Sequence, residues 1–154
     1  MASKKKNQVE ENATDICYTI SIPVDSADTL FEYRITKLIN AKANLLKKVF
    51  NTENLIFEIK DGKITFDWLP PDAPQEMIQA SMKFFCKLVE LIKNGKRVNC
   101  KEKETPSEKY AFRCFLLRLG FIGDEYKLDR KILMQNLSGS SAFRIKKGDS
   151  DANQ

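Results

Sequence analysis

Basic side chains in the last third of the chain are the residues best suited to binding an anionic partner. Lys127, Arg130 and Lys131 fall within a third of the circumference of a predicted helix. Lys109 and Arg113, four residues apart, share a strip of the helix before it. Grouped ammonium and guanidinium groups suit the phosphates of a nucleic acid, because each neutralised phosphate releases counterions. We therefore predict that the first three contact phosphates and that the other two flank them.

The charge distribution along the chain indicates the same region. The 154 residues carry a net charge of +5, yet residues 1–95 are neutral and residues 96–147 have a net charge of +7. An anionic partner would be steered toward this basic part. Arg144, Lys146 and Lys147 lie beyond the last predicted helix, and we expect them to form a flexible basic arm for nucleic acid.

The same cations allow other interpretations. A basic helix face is often only solvated, and an acidic protein surface would complement it as well as a phosphate backbone does. The second case would make the protein an interaction module or an inhibitor of another protein.

The absence of histidine restricts the enzyme classes that are open to this chain. Without histidine there is no Ser-His-Asp or Cys-His nucleophile system and no histidine general base. The sequence also contains no GxGxxG, no GxxxxGK[ST] and no closely spaced carboxylate motif. We expect a protein that is not an enzyme and has no catalytic residues and no cofactor. An enzyme that uses lysine or tyrosine is the least favoured alternative.

Four cysteines are the remaining candidates for metal chemistry. Cys17, Cys86, Cys100 and Cys114 are far apart and form no CxxC pair. We expect buried, reduced thiols and no bound metal.

The segment Asn136–Ser141 has two interpretations. Gly139 can end a helix, with the serines making turn hydrogen bonds. Alternatively, the backbone N–H groups and hydroxyls of the segment form a phosphate cradle.

Two elements are predicted in the first fifty residues. Residues 1–14 are polar and we expect them to be disordered. Apolar and polar residues alternate over Cys17–Pro23, which predicts a strand with one buried face. A long amphipathic helix follows from Ala27 to Phe50, with Ser26 as its N-cap.

The segment LIFEIKDGKITFDW, residues 55–68, predicts a β-hairpin with a type I′ turn at Asp61-Gly62. If Lys60 pairs with Lys63, the apolar residues all fall on one face. The resulting pairs are Ile59 beside Ile64, Phe57 beside Phe66, and Leu55 beside Trp68. We interpret the rings as core rather than as stacking platforms for bases, because the helices need a sheet face to cover.

A second amphipathic helix follows the hairpin. Asp72 is its predicted N-cap, Pro74 lies in its first turn, and Gly95 follows its end. Val98 and Cys100 fit a short edge strand.

The last two helices are predicted on either side of a glycine turn. Ser107 caps the first, which is so apolar that it must be largely buried. Gly120 and Gly123 permit a tight turn. The second helix runs from its N-cap Asp124 to about Leu137.

This helical pair is the predicted nucleic-acid-binding unit. Phe121 and Ile122, between the glycines, are expected in the core. Two helices joined by a short glycine turn, the second of them basic, fit a helix-turn-helix arrangement, and an ordinary αα-hairpin has the same pattern. We expect Lys127, Arg130 and Lys131 to be replaceable by alanine without loss of the fold.

The elements together predict an α+β fold. A small sheet in the order β-α-β-β-α is covered by two helices (residues 15–95) and followed by a basic C-terminal helical pair (96–147), within one domain over 15–147. Residues 148–154 are expected to be a disordered tail. No apolar run reaches the length of a membrane span, and the basic start lacks the apolar stretch of a signal peptide, so we expect a cytoplasmic protein without a membrane partner.

"EKYAFRCFLLRLGFIGDEYK" followed by "RKILMQNLSGSSAF", over residues 108–143, resembles a family of small uncharacterised proteins. These proteins are encoded on integrative elements and prophages of Gram-positive bacteria and are sometimes labelled virulence-related. The resemblance implies a mobile-element setting in a bacterial cytoplasm, and it implies no reaction, cofactor or catalytic residue. The expected function is that of a non-enzymatic accessory protein of a mobile element that binds nucleic acid. The alternative is an interaction module or inhibitor acting on a host or element-encoded protein.

Overall fold

The protein has an α+β fold built on a small antiparallel sheet. The computed structural model describes residues 18–25, 29–95 and 107–139. In these ranges three strands lie in the order β1-β3-β2. The strands are β1 (Tyr18–Pro23), β2 (Phe57–Lys60) and β3 (Lys63–Leu69). The five α-helices of the described residues are α1 (Thr29–Ala41), α2 (Ala43–Phe50), α3 (Gln75–Lys93), α4 (Glu108–Leu119) and α5 (Lys127–Met134), and a short 3-10 helix (Asp124–Tyr126) precedes α5.

The β2–β3 hairpin has the predicted turn and register. Asp61 and Gly62 have φ angles of 53° and 74°, as a type I′ turn requires. Lys60 pairs with Lys63, and the pairs match the prediction as far as Phe57 with Phe66, where β2 ends, so the predicted pair of Leu55 with Trp68 is not part of the ladder. β1 joins the other edge of β3, and Val24 N–H donates to Gly62 O at 2.8 Å.

The inner face of the sheet is an aromatic core, as predicted. Phe66 stacks on Phe85 of α3, with ring centroids 4.2 Å apart and planes within 5°. Phe50 of α2 and Trp68 contact the same ring, and all four side chains are buried. The Trp68 indole N–H donates to Ile56 O at 2.8 Å, so the polar atom of this buried ring has a partner. These rings stabilise the core and are closed to bases.

The solvent face of the sheet is polar. Thr19 Oγ1 donates to Asp67 Oδ1 at 2.8 Å, and Ser21 shares a 2.9 Å hydrogen bond with Thr65. These pairs cross between β1 and β3, so one side of the sheet is core and the other is wet.

The predicted helix over residues 27–50 is two helices in the structure. Lys42 leaves the helical region, with φ −106° and ψ 14°, and separates α1 from α2. Its Nζ lies 5.3 Å from the centroid of the Phe115 ring, so the break coincides with a contact to α4. The predicted cap Ser26 lies outside the described residues.

The helix after the hairpin begins later than predicted. Asp72 is not its cap, because α3 starts at Gln75 behind an extended Pro74 with ψ 156°. A residue before proline is disfavoured in the helical region, which keeps Ala73 out of the helix. At the other end, Gly95 has φ 69° and its N–H donates to Ile92 O, as expected of a residue following a helix. Val98 and Cys100 lie outside the described residues.

The C-terminal helices share one hydrophobic core with the sheet. Ser107 caps α4 as predicted, since its Oγ accepts the Tyr110 N–H at 3.1 Å. Phe112 and Phe115 of α4 contact the Phe84 ring of α3. Among the described residues, no helix combines the length and apolar character needed to cross a membrane.

The glycine turn and the last helix differ from the prediction. Phe121 is fully buried, but Ile122 is 63% exposed rather than in the core. The predicted single helix from Asp124 to Leu137 is a 3-10 turn followed by an eight-residue α-helix. Tyr126, with φ −107° and ψ 7°, separates the two, since its backbone does not continue the helix.

Candidate nucleic-acid interface

Five of the predicted nucleic-acid-binding residues meet in one groove between α4 and α5. The groove encloses about 260 Å³. Its lining residues are Lys109 and Arg113 of α4, and Lys127, Arg130, Lys131 and Met134 of α5. All but one of them are cations, and no carboxylate is among these lining residues. We call this feature the basic groove.

Helix α4 positions its two cations through its buried face. Phe112, Leu116 and their neighbours are packed into the core, which fixes the rotation of the helix. Lys109 and Arg113 are one turn apart and both half-buried, so they lie along one wall of the basic groove. The Ser107 cap sets the start of this wall.

Helix α5 positions three cations by packing against α3 and α4. Leu133 is fully buried, whereas Lys127 and Lys131 lie on the solvent-facing side of α5 and are exposed. Asp129 lies on this basic helix but does not reach the groove. Its carboxylate is 2.9 Å from Lys83 Nζ of α3, so its negative charge is engaged elsewhere.

Arg130 differs from the neighbouring lysines because the protein holds its guanidinium. Nη1 donates to the backbone oxygens of Phe121, at 2.9 Å, and Gly123, at 3.1 Å. Gly123 adopts φ 96°, which turns its carbonyl within reach. The remaining guanidinium N–H groups are the ones available to the groove.

The expectation that all three α5 cations can be replaced without loss of the fold stays a prediction, and this contact makes Arg130 the least suitable of the three for replacement. Arg130 closes the turn between α4 and α5, so its removal leaves two backbone acceptors without their donor. Lys127 and Lys131 have no such contact described and remain suitable for alanine substitution. The sequence offered no local signal for this contact, since arginine and its two acceptors are seven to nine residues apart.

Residues 136–139 are the described part of the segment predicted either to end the helix or to cradle a phosphate, and Ser140 and Ser141 lie outside the described residues. Ser138 donates from both its backbone N–H and its Oγ to Glu108 Oε1, at 3.1 Å each. Lys48 of α2 binds the other oxygen of the same carboxylate. The N–H group of Ser138 therefore already holds an anion that belongs to the protein. Gly139 does have a positive φ of 92°, but α5 ends at Met134, so the prediction that Gly139 ends this helix is wrong.

Glu108 is held in its charged form by these partners. The hydrogen bond from Lys48, followed by that from the Ser138 backbone, lowers the pKa of the carboxyl group below its ordinary value. The Glu108 contact fastens the chain at Ser138 to the start of α4, beside Lys109. We call Glu108, Ser138 and Lys48 the clasp.

The last described residue lies near the start of the basic groove. Arg144, Lys146 and Lys147 lie outside the described residues. Gly139, the last described residue, packs against Ser107, two residues before Lys109 of the basic groove. The chain thus leaves the described part close to one end of the groove.

The cysteines correct a further expectation. Cys86 and Cys114 are free thiols, and both are exposed rather than buried. Partial burial, and then the negative charge of Glu90, raises the pKa of the Cys86 thiol. The part of the chain that the structure describes contains no group of three or more acidic or cysteine side chains placed to hold a metal ion. Cys17 and Cys100 lie outside the described residues.

Comparison of the chain with protein-family models, with curated proteins and with solved structures gave no match. The mobile-element setting implied by the resemblance therefore stays a prediction.

Proposed function

We propose that the protein is a non-enzymatic accessory protein that binds the phosphate backbone of a nucleic acid in the basic groove. The observation that carries this proposal is the convergence of Lys109 and Arg113 with the three cations of α5 in one concave surface free of lining carboxylates. The setting on a bacterial mobile element is part of the proposal and rests on the sequence resemblance.

The electrostatics of the groove support a polyanionic ligand. Like charges in one cavity repel each other, and the repulsion grows where side chains are partly desolvated, as those of Lys109, Arg113 and Arg130 are. A ligand with several phosphates relieves this repulsion and releases its counterions into solution. The Asp129 carboxylate of α5 does not offset this repulsion, because it is paired with Lys83.

Salt dependence is the direct test. Each phosphate contact adds about −0.9 to the slope of log affinity against log salt for duplex DNA and about −0.7 for a single strand. Contacts from all three α5 cations would give a slope of roughly −3 on duplex DNA, and contacts from Lys127 and Lys131 alone would give about −1.8. The double substitution Lys127→Ala/Lys131→Ala should weaken binding at low salt and reduce the slope by about 1.4 to 1.8. The loss should be similar for unrelated sequences, because phosphate contacts carry no sequence information.

The hairpin provides a matched control. Lys60 and Lys63 are exposed and do not line the basic groove, so Lys60→Ala/Lys63→Ala removes the same net charge elsewhere. If the two double variants bind equally well, the groove is not the binding site. If the wild type binds neither DNA nor RNA at low salt, the proposal is wrong.

An acidic protein surface is the second candidate partner. Two large apolar side chains on the same C-terminal part, Ile122 and Leu128, are 63% and 62% exposed. Protein interfaces combine apolar contacts with charged rims, so this neighbourhood also suits a protein partner. Substitution of Leu128 by Ser should weaken such a complex and leave binding to a phosphate backbone nearly unchanged.

A further inference from the structure

The direction in which the α5 cations face separates two ways of binding a nucleic acid. In a helix-turn-helix protein, the second helix projects its polar face outward into the major groove of a duplex, which is about 12 Å wide. Here Lys127, Arg130 and Lys131 instead line a cavity shared with α4. Arg130 is half-buried on this concave surface, whereas Lys127 and Lys131 remain exposed to solvent.

An exposed apolar side chain, Leu128, borders the cations of α5, because it is three residues before Lys131 and so about 60° from it around the helix. Leu128 is two residues from Arg130, about 200° around the helix, and it is 62% exposed. Leu128 offers neither a hydrogen bond to a base edge nor a charge to a phosphate. With eight residues, α5 is only about 12 Å long, and α4 borders it along the groove.

We infer that the basic groove holds a single strand of nucleic acid rather than the outside of a duplex, and that Arg130 is the residue that recognises a phosphate. This inference rests on the proposed function and narrows it. A single strand can bend its phosphates into a concave surface one at a time. The phosphates of a duplex lie on the outside of a stiff rod, so they meet the exposed Lys127 and Lys131 but not the half-buried Arg130.

The preference for a single strand over a duplex depends on Arg130, because its guanidinium is held in place by the protein and cannot move outward to reach a duplex. The hydrogen bonds to Phe121 O and Gly123 O fix its guanidinium, and the planar fork then presents its free N–H groups in a set direction. A phosphate that enters the groove gains two parallel hydrogen bonds without the entropy cost of ordering this side chain. Lys127 and Lys131 are exposed and reach a phosphate in either mode.

Met134 is the apolar residue of the groove lining. Its side chain is 7% exposed and lies one turn beyond Arg130 and Lys131. Since so little of Met134 is exposed, the preference for a single strand over a duplex depends on Arg130 and not on an apolar contact.

The test compares one labelled strand of about 15 nucleotides, as DNA and as RNA, with its blunt-ended duplex, by fluorescence anisotropy at several salt concentrations. We expect the single strand to bind at least about tenfold more tightly than the duplex at equal salt, a difference of about 1.4 kcal/mol. Arg130→Lys, which keeps the charge but loses the fork, should weaken single-strand binding more than duplex binding. The matched variant Lys131→Arg should keep the preference for the single strand.

The outcomes separate this inference from the proposed function. Equal or tighter binding of the duplex would overturn the inference and leave the proposed function intact, whereas no binding of either form would overturn both. An equal loss for both forms in Arg130→Lys would remove Arg130 from its assigned role. Thermal unfolding of Arg130→Lys shows whether the turn survives the substitution. If the turn is lost, the ratio of single-strand to duplex affinity measured for the wild type still tests the preference for a single strand.

Discussion

Lys83 of α3 and Asp129 of α5 form an ion pair across the interface of the two helices, with Nζ 2.9 Å from Oδ2. The Asp129 side chain is 10% exposed and that of Lys83 is 49% exposed. A carboxylate that is buried this far depends on its partner, while the lysine can be solvated alone.

The ion pair predicts that Lys83→Met and Asp129→Asn lower the free energy of unfolding by different amounts. Lys83→Met should lower the free energy of unfolding by about 1–2 kcal/mol, between the values for a surface pair and a buried pair, because it leaves the Asp129 carboxylate unpaired. Asp129→Asn should cost less, since a neutral amide remains near Lys83. Urea unfolding at neutral pH measures both. The double variant should be more stable than Lys83→Met alone, and a double variant that is less stable would contradict this account.

The hairpin turn predicts a loss of stability that arises only from backbone strain at Gly62. Gly62 has φ 74°, and a Cβ atom built there would meet no atom within 4 Å. Gly62→Val should therefore destabilise the fold by about 1 kcal/mol or more through strain and not through a clash. Gly62→Asn is the control, because asparagine tolerates a left-handed backbone. An unchanged melting temperature for the valine variant would be inconsistent with the type I′ turn.

The contact between Gly139 and Ser107 predicts a coupled pair. A Cβ at Gly139 would lie 2.8 Å from the Ser107 Cβ and 3.1 Å from its Cα. Gly139→Ala should destabilise the protein, and the loss should be smaller when Ser107→Gly has removed the neighbouring side chain. A double-mutant cycle by urea unfolding measures this coupling. Strictly additive effects would mean that the two residues are not in contact in solution.

The clasp predicts an acid-dependent part of stability. The pKa of Glu108 is lowered, first by Lys48 and then by Ser138, from an ordinary value of 4.5. The unfolded state therefore takes up a proton first as pH falls. The contribution of Glu108 is complete above pH 4.5 and is lost as pH falls through the lower pKa of the folded state.

Glu108→Gln tests this contribution. The wild type should be more stable than the variant near neutral pH, and the gap should narrow as the pH falls below the ordinary value of 4.5 and through the lower pKa of the folded state. Urea unfolding across this range measures the gap. A gap that stays constant with pH would show that the Glu108 charge is not involved.

The raised pKa of the Cys86 thiol predicts that it reacts slowly with a disulfide reagent in the folded protein. Burial and Glu90 raise its pKa, so at neutral pH a smaller fraction is thiolate, the reactive form. In a variant in which the other three cysteines are serine, an aromatic disulfide reagent should react with Cys86 more slowly in the folded protein than in urea. The pH midpoint of the reaction should also be higher in the folded protein. Equal midpoints would contradict the raised pKa.

The sequence by itself determined the features that depend on neighbouring residues. The Asp61-Gly62 turn and its register follow from two residues with positive φ between alternating strands. The Ser107 cap follows from one hydroxyl before an apolar helix. The predicted extents of two helices were wrong, because Lys42 and Tyr126 interrupt them. Neither residue is a glycine or a proline, the residue types that indicate a helix break in a sequence.

Only the tertiary structure decided how the cations are used. The grouping of Lys127, Arg130 and Lys131 can be read from helical periodicity, because 3.6 residues per turn is a local property. Their convergence with Lys109 and Arg113 depends on how α4 and α5 pack against α3, which is set by contacts far apart in the chain. The hold of two backbone carbonyls on Arg130 depends on the path of the turn between those helices, and this path exists only once their apolar faces are buried together.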